Sequence, residues 1–388
     1  MKGPSIKMQP AMNKINILVV VRHPLGGIRT FIRYVYGNFA PDRYKFTVLA
    51  PDQPELDIML DDLKGLDVQC SRIKGNVSGA RFVAAVSREL KSGQFDLVHS
   101  HGFTAGLCSA IPARIKGIKH IMTSHDVLFP RLFEGASGRI QKIALAMLLP
   151  MIDVIHSVSA DAQDNLIGFF PRLGRADGKC KAIQNGIIVG EFNGTEARDF
   201  HRELDLPRDV FIIGFMGRFM PQKGFIHLIE AMEMLRDDKG LPAKPVVIAF
   251  GSGDFIREDK KKIIRRGLEG HFYYFPFTTQ VAAALKGFDV LAMPSMWEAC
   301  PLLPMEAMVA GVPVIGTSCI GLREVLKDTP SIMVKPGDGR ALALALRNEM
   351  ERPSRRIAEA FSAEAARRFD VKRQAKELQA TMEQMLSR

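Results

Sequence analysis

Residues 290–316 read VLAMPSMWEACPLLPMEAMVAGVPVIG, and this stretch guides the interpretation of the whole chain. The apolar runs Val290–Met293 and Val314–Gly316 are typical of buried parallel strands. Between them, Pro304 suits the first turn of a helix predicted over Met305–Ala310, because that turn needs no N–H from its first residue. The stretch therefore predicts strand, loop, helix and strand, which is the repeating unit of a parallel sheet.

Two glutamates bracket the loop of this unit. Pro301 and Pro304 prevent a single helix from holding both Glu298 and Glu306. Glu306 is predicted in the first turn of the helix and Glu298 on the preceding loop. Both carboxylates are therefore expected to face one crevice, beside backbone N–H groups that the helix start leaves free.

The same alternation of strands and helices runs through both halves of the chain. Predicted strands are Ile15–Val21, Phe46–Leu49, Val68–Ile73, Leu97–Ser100, His120–Ser124 and Val154–Ser157, then Phe211–Met216, Val246–Phe250, Phe272–Phe275, Val290–Met293, Val314–Gly316 and Ile332–Val334. This order predicts an α/β protein with two Rossmann-like, doubly wound domains. Because ligands bind at the carboxyl ends of parallel strands, the cleft between the facing domains is the expected site.

The predicted domain limits follow from composition. Residues 1–13 are expected to be a disordered leader, with Met8 or Met12 as alternative starts to Met1. Residues 14–185 form the predicted N-terminal domain and residues 186–368 the C-terminal domain, with a break near Asn185-Gly186. The last helical pattern begins at Ser354, and residues 369–388 are predicted to form a C-terminal helix that crosses back to the first domain.

Composition and charge narrow the class of protein. Of 388 residues, 47% are hydrophobic and 24% charged, as in ordinary globular proteins. Residues 1–185 carry 24 Lys and Arg against 15 Asp and Glu, so most of the net charge of +11 lies there and favours anionic lipid, nucleic acid or phosphorylated substrates. The five cysteines include no CxxC pair, which argues against a zinc site and fits a cytoplasmic protein. The apolar run Ile15–Val21 is too short to span a membrane.

Two glycine-containing turns follow predicted strands and suit phosphate binding. Pro24-Leu25-Gly26-Gly27 stands between the first strand and a helical pattern, where backbone N–H groups can approach an anion. Gly217-Arg218, followed by Lys223-Gly224, stands between a strand and the next helix. Arg218 is predicted to bind a diphosphate through its forked guanidinium, and Lys223 to add a point charge. A further turn, residues 251–254 (GSGD), is common in such domains.

These motifs together resemble the retaining glycosyltransferases of family 4, which have the GT-B fold. The resemblance rests on GR-x₄-KG at residues 217–224 and on E-x₇-E at residues 298–306 ahead of GVPV at residues 311–314. In the first half it rests on Gly26-Gly27, on residues 96–101 (DLVHSH), 123–126 (TSHD) and 157–159 (SVS), and on Asn185-Gly186. These pieces cover most of the chain in the family's order.

The resemblance implies a role for each matching residue. Glu306 would bond the ribose hydroxyls, while Glu298 and His125, the implied catalytic residues, would lie against the transferred sugar. The remaining donor-binding residues that it implies are Gly27, Arg218, Lys223, Cys300, Leu302 and Leu303. His101 and Arg29 are candidates for the acceptor side. Family members often have glycine where this chain has Pro301, which has no N–H to donate.

The resemblance also implies retaining transfer from a UDP- or GDP-sugar, with neither a metal nor another cofactor. Arg218, Lys223 and backbone amides would stabilise the diphosphate leaving group. A glycosidase would have no use for such cations. An epimerase or hydrolase of sugar nucleotides, a donor-binding regulator and a basic nucleic-acid-binding protein stay open as alternatives, although no nucleic-acid-binding motif is present. Of the histidines that flank Ser100, His99 is predicted to pack in the core.

The acceptor is predicted from charge and family analogy. The basic first half favours an acidic or lipid-linked glycan acceptor, with peripheral contact at the inner face of an anionic membrane. Bacterial surface-polysaccharide or lipopolysaccharide synthesis is the implied pathway. The segment Arg29–Tyr36 is either a basic, aromatic helix that contacts such a membrane or a helix packed on its own sheet.

Overall fold

The computed structural model describes residues 14–192 and 194–387, so the predicted leader over residues 1–13 lies outside the described residues. The first seven strands are β1 (Ile15–Val21), β2 (Tyr44–Pro51), β3 (Val68–Ile73), β4 (Leu97–His101), β5 (Lys119–Ser124), β6 (Val154–Ser157) and β7 (Cys180–Ala182). They form one parallel sheet in the order β3-β2-β1-β4-β5-β6-β7. Its helices are α1 (Gly26–Tyr36), α2 (Pro54–Asp61), α3 (Gly79–Ser92), α4 (Phe103–Lys116), α5 (Gly135–Leu148) and α6 (Ala160–Phe169).

The second domain repeats this plan with six strands. They are β8 (Phe211–Met216), β9 (Pro245–Phe250), β10 (Phe272–Phe275), β11 (Val290–Met293), β12 (Val314–Thr317) and β13 (Ile332–Val334), in the parallel order β10-β9-β8-β11-β12-β13. The remaining helices are α7 (Phe200–Glu203), α8 (Phe225–Arg236), α9 (Ile256–Arg265), α10 (Val281–Lys286), α11 (Leu303–Val309), α12 (Leu322–Leu326), α13 (Gly339–Glu351), α14 (Arg355–Phe369) and α15 (Val371–Leu386).

The predicted architecture of two doubly wound domains is confirmed, and so are all twelve predicted strands. Strand β7 was not predicted, because Cys180-Lys181-Ala182 has a charged centre and no β-branched residue, unlike the equally short Ile332–Val334. In both sheets the strand order reverses between two central strands, β1 with β4 and β8 with β11. These reversal points are where doubly wound sheets open a crevice for ligands.

The last helical tract is two helices rather than one. Asp370 has extended backbone dihedrals, and its side chain accepts a hydrogen bond from the amide of Lys372, so it ends α14 and starts α15. Helix α15 then packs against α1 of the first domain. Its Glu383 accepts a hydrogen bond from the Tyr44 hydroxyl at 2.9 Å. The predicted return of the C-terminal helix to the first domain is therefore confirmed.

Helix α1 is covered by its own domain. Phe31, Tyr34 and Tyr36 are all buried, and Arg33 pairs with Glu191 at 2.7 Å. Interpreting the segment as an aromatic membrane-contacting helix is therefore wrong. Tyr36 stacks on Phe46 of the sheet, and Phe31 and Tyr34 line the cleft between the domains, which leaves none of these three rings free to enter a bilayer.

Direct polar contacts join the two domains at the edge of the cleft. Arg323 pairs with Asp161 at 2.8 Å, and the carboxylate of Glu324 accepts hydrogen bonds from the first backbone amides of α6. Asn185 donates to the carbonyl oxygen of Cys300 at 3.2 Å. The loop that precedes α11 is thus held against the first domain at the point where the predicted donor site lies.

Candidate donor-binding cleft

The first wall of the cleft is the turn between β1 and α1. Gly26 has a φ of +59°, a left-handed conformation that favours glycine. A Cβ atom at this position would lie 3.1 Å from Nη2 of Arg218, so the guanidinium from the second domain reaches the turn. Gly27 lines the cleft directly. The two glycine motifs predicted to bind phosphate therefore meet across the domain boundary.

The second wall comes from the loop after β8. Lys223 projects into the cleft, and its Nζ lies 2.7 Å from Oε1 of Glu298. The carboxylate also accepts a hydrogen bond from the Ser295 hydroxyl at 2.8 Å and is only 6% exposed. The predicted phosphate cation and the predicted sugar-contacting carboxylate thus form an ion pair with each other. Gly251 packs so closely on Gly217 that a Cβ atom at position 251 would clash with the Gly217 carbonyl oxygen, so the turn over residues 251–254 supports the loop that follows β8.

The loop between β11 and α11 forms the floor. Cys300, Leu302 and Leu303 line the cleft together with Pro301. Because α11 begins at Leu303, the backbone N–H groups of its first turn have no partner within the helix. They are available to ligand oxygens, as the sequence predicts. Burial raises the pKa of the Cys300 thiol well above its usual range, so this sulfur stays protonated.

Glu306 lies in the first turn of α11 and is partly buried. Burial, and then the charge of Glu191, raise the pKa of its carboxyl to about 7. Burial, and then the charge of Glu306, raise the pKa of Tyr34, a cleft-lining side chain. A carboxylate whose pKa is this high gains from hydrogen-bond donors that stabilise its charge. Ribose hydroxyls are donors of this kind.

His125 and His101 lie at different depths. His125 lines the cleft, whereas His101 lies behind it and is 1% exposed. The Nε2 of His125 lies 3.1 Å from Nδ1 of His101. His101 therefore touches the site only through His125, because its strand position points it under α1. His99 is fully buried, which confirms the prediction that it packs in the core.

Arg29 is the predicted site residue that the structure places apart from the others. Its guanidinium makes two hydrogen bonds to the carboxylate of Asp62, at 2.6 and 3.1 Å, and it is not among the residues that line the cleft. The helical turn of α1 carries Arg29 toward the end of α2 while it carries Phe31 and Tyr34 toward the site.

The cleft encloses about 240 Å³. Its lining residues are Gly27, Phe31, Tyr34, His125, Val158, Asn185, Gly186, Met216, Lys223, Met293, Ala299, Cys300, Pro301, Leu302, Leu303 and Gln374. Six of these are residues predicted for the site, and Arg218, Glu298 and Glu306 adjoin it as described above. Among the described residues, no group of His, Cys, Asp and Glu side chains is arranged to hold a metal ion.

Family models match both domains. A model described as Glycosyltransferase Family 4 matches residues 25–190, and one described as Glycosyl transferases group 1 matches residues 196–368. The chain belongs to the group 1 glycosyltransferases. The resemblance to this glycosyltransferase group is thereby confirmed, and residues 298–306 lie within the second matched range.

Two curated relatives of this group 1 glycosyltransferase are bacterial. Putative teichuronic acid biosynthesis glycosyltransferase TuaC of Bacillus subtilis is 26% identical over 274 residues, which is 69% of this chain and 64% of that protein. The UDP-Gal:alpha-D-GlcNAc-diphosphoundecaprenol alpha-1,3-galactosyltransferase of Escherichia coli is 25% identical over 243 residues, 60% of this chain and 61% of that protein. The chain thus spans less than two thirds of the length of these relatives.

Solved structures share the whole architecture. Anabaena HepE, crystallised in complexes with UDP and with UDP-glucose, superposes on this chain with a TM-score of 0.79 at 20% sequence identity. The superposition covers 95% of this chain and 100% of the HepE chain. At this identity the likeness shows the fold, which is GT-B. No described helix of this group 1 glycosyltransferase is long and apolar enough to cross a membrane.

Several residues that line the cleft were not predicted from the sequence. Phe31 and Tyr34 are three positions apart on α1, and this spacing puts them on one face, which is the signal that could have paired them. Gln374 comes from α15 and bonds Asn185 at 3.0 Å. Nothing local to Gln374 indicates a site, because its place depends on where α15 docks.

Proposed function

We propose that this protein transfers a sugar, with retention of anomeric configuration, from a nucleoside diphosphate sugar to a glycan or lipid-linked acceptor. The observation that carries the proposal is the meeting of Gly27, Arg218 and Lys223 at one cleft that also receives the first turn of α11. Cations and free amides suit a diphosphate, and Glu306 is the carboxylate that we assign to the ribose hydroxyls.

The proposed mechanism follows from the charges that develop in the reaction. The bond between C1 of the sugar and the diphosphate oxygen breaks, and the acceptor oxygen bonds C1 on the same face. The departing phosphate oxygen takes the acceptor's proton. Arg218 and Lys223 stabilise the leaving group without a metal. Binding of the donor requires Lys223 to exchange its bond to Glu298 for one to phosphate, which leaves Glu298 free to accept from a sugar hydroxyl.

The pairing of Glu298 disfavours a glycosidase. A buried carboxylate bonded to both Lys223 and Ser295 is a poor nucleophile or base until its partners leave. An epimerase or hydrolase would act on the same donor, but it would need no acceptor hydroxyl. Dependence of donor turnover on a glycan acceptor separates these activities.

The test of the donor site is a thermal-shift series with UDP-, GDP- and ADP-sugars in the presence of EDTA. One class should stabilise the protein, and Glu306→Ala should lose most of that shift. Full stabilisation of the Glu306→Ala variant would overturn the ribose assignment. Retention is tested by NMR of the anomeric proton in the product, and an inverted product would overturn that part of the mechanism.

A lipid-linked acceptor at an anionic membrane is the acceptor class we propose. The name of the Escherichia coli relative includes a diphosphoundecaprenol acceptor, and the first half of this chain is strongly basic. The surface that suits a bilayer is α5. Its residues Ile140, Ile143 and Met147 share one face and are all exposed, opposite the buried Leu145.

Charge favours a bilayer as the occupant of this face. Arg139 and Lys142 flank the apolar residues, and α5 contains no acidic residue. The groove beside Lys142, lined also by Phe169, carries Arg172 as its other charged group. Basic residues around exposed aliphatic side chains are the combination that binds anionic lipid surfaces.

Vesicle co-sedimentation tests the membrane face. Vesicles with phosphatidylglycerol should bind the protein, less so at high salt, and Ile143→Glu should reduce binding about tenfold or more. Leu344→Glu is the matched control, because Leu344 and Ile143 are each 59% exposed and Leu344 lies on α13 of the other domain. Equal binding of both variants would overturn the assignment. Loss of a dimer rather than of vesicle binding in Ile143→Glu would identify a second copy of the chain as the occupant.

A further inference from the structure

A continuous line of hydrogen bonds runs through the interior of the first domain and ends at the cleft. We call it the histidine relay. In order it contains the Ile183 carbonyl, His156, Thr123, His99, Tyr36, His101 and His125. Every side chain in it is buried except that of His125, which lines the cleft.

Strand register explains why these side chains meet. His101 on β4 pairs with Thr123 on β5, and Thr123 pairs with His156 on β6, so the three form a row across the sheet near its carboxyl edge. His99 lies two residues earlier on the same face of β4. Tyr36 reaches this face from α1 and joins His99 to His101.

The far end of the relay sets its direction. Nε2 of His156 lies 3.2 Å from the Ile183 carbonyl oxygen, which can only accept, so Nε2 carries the proton. Nδ1 of the neutral ring must then accept, and it does so from the Thr123 hydroxyl at 3.0 Å. Thr123 has used its one proton and must accept from Nε2–H of His99 at 2.7 Å.

The remaining hydrogen bonds run in the same direction as far as the cleft. With its proton on Nε2, His99 accepts at Nδ1 from the Tyr36 hydroxyl at 2.6 Å. Tyr36 must then accept from Nε2–H of His101 at 3.0 Å. Nδ1 of His101 is left to accept from Nε2–H of His125 at 3.1 Å. Each bond has one donor and one acceptor, and no alternative direction satisfies the Ile183 carbonyl with neutral rings.

These bond directions require neutral imidazoles, and the surroundings of the rings keep them neutral. Burial, the largest cause in each case, lowers the pKa of His125 to about 3 and of His156 to about 4, and it lowers the pKa values of His99 and His101 well below the usual range. Phe31 packs against His101, His125 and His156 with ring centroids 5.0 to 5.8 Å apart. This ring helps to keep water from the relay.

We propose that the histidine relay holds His125 as the tautomer with its proton on Nε2, so that Nδ1 accepts a hydrogen bond from a hydroxyl of the donor sugar. The hydroxyl contact rests on the proposed function, whereas the tautomer does not. No described residue bonds Nδ1 of His125, and the side chain lines the cleft. Tyr36, His99, Thr123 and His156 are then positioning residues that act through His125.

The consequence is a chemical preference at the sugar. A lone pair on Nδ1 favours a hydroxyl that donates its proton, whereas the other tautomer would offer an N–H to an oxygen that accepts. Replacing the contacted hydroxyl with fluorine removes the proton but keeps a weak acceptor. The fluoro donor should therefore bind as poorly as the deoxy donor, each with about a two- to tenfold higher KM than the parent.

NMR of protein labelled with ¹⁵N-histidine tests the tautomer without any substrate. Long-range ¹H–¹⁵N spectra at neutral pH should show the Nε2–H form for His99, His101, His125 and His156, with signals assigned by single His→Gln variants. An Nδ1–H form or an imidazolium at His125 would overturn the proposal. Thr123→Ser should keep the wild-type tautomers, whereas Thr123→Val should let His125 populate both forms.

Kinetics of the same variants test the hydroxyl contact. With monodeoxy and monofluoro donors of the sugar that binds, Thr123→Val should lose part of the discrimination at one hydroxyl, while Thr123→Ser retains it. A fluoro donor that binds like the parent at every position would overturn the contact at Nδ1. If no donor binds at all, the proposed function fails while the NMR result still decides the tautomer.

Discussion

Glu306 should make donor affinity depend on pH near neutrality. Burial and the charge of Glu191 raise the pKa of its carboxyl from 4.5 to about 7. Ribose hydroxyls donate hydrogen bonds, so they bind the ionised carboxylate better than the acid. The affinity gained from Glu306 is therefore present above about pH 7 and is lost as the pH falls below it.

The size of the effect follows from the fraction ionised. With a pKa of about 7, roughly nine-tenths of Glu306 is ionised at pH 8 and roughly one-tenth at pH 6. The dissociation constant of the donor should thus rise about tenfold when the pH is lowered from 8 to 6. Removing the charge with Glu306→Gln should weaken binding at pH 8 by about 1.5–3 kcal/mol, the usual contribution of a hydrogen bond to a charged group.

Isothermal titration calorimetry with the intact sugar nucleotide measures this dependence. Both phosphates of such a donor are esterified, so neither titrates near neutrality, as the terminal phosphate of a free nucleotide would. His125, with its pKa lowered to about 3 by burial, stays neutral throughout. Glu306→Gln should bind weakly and with no pH dependence. A wild-type constant that is flat from pH 6 to pH 8, or an unchanged slope in Glu306→Gln, would refute the reasoning.

Three further predictions concern stability. Lys223→Met should lower the free energy of unfolding in urea by about 3 kcal/mol, because it leaves Glu298 buried and unpaired, and no loss would show that the pair contributes nothing. Gly224→Ala should cost at least about 1 kcal/mol in the same assay, since its φ is +63° and a Cβ would meet a neighbouring carbonyl. Burial lowers the pKa values of His120 and His156 to about 3 and 4, so the unfolded chain takes protons first as the pH falls below 6.5. Each of these two histidines should lower the free energy of unfolding by about 2 kcal/mol at pH 5 relative to pH 7.5. The His156→Asn variant should therefore lose less stability over this pH range.

The sheets and the general place of the site were predictable from the chain alone. Runs of three to seven mostly apolar residues, separated by helical patterns, identify buried parallel strands whatever lies around them. Parallel strands bring their carboxyl ends to one edge, so Gly27, Arg218 and the segment from Glu298 to Glu306 could be assigned to one cleft before any contact was known.

The burial of individual side chains and the pairing of charged groups could not be predicted from the sequence. Alternation along β4 places His99 and His101 on one face, but whether a helix covers that face is not encoded in the alternation. Lys223 and Glu298 each suit a ligand, and their mutual bond depends on two loops 75 residues apart in sequence. The relay likewise needs three strands and one helix in register, with the Ile183 carbonyl at its end.

The exposed face of α5 that we propose for membrane contact shows the same division. Both α1 and α5 combine basic and apolar residues, and from the sequence α1 was either a membrane-contacting helix or a helix packed on its own sheet. In the folded protein α15 and the sheet cover the aromatic side of α1, while Ile140 and Ile143 of α5 stay exposed. An amphipathic pattern is a property of neighbours along the chain, so the sequence determined the elements, the charge and the ligand-binding edge. Which faces are buried and which charges meet depends on segments distant in sequence, and only the tertiary structure decided them.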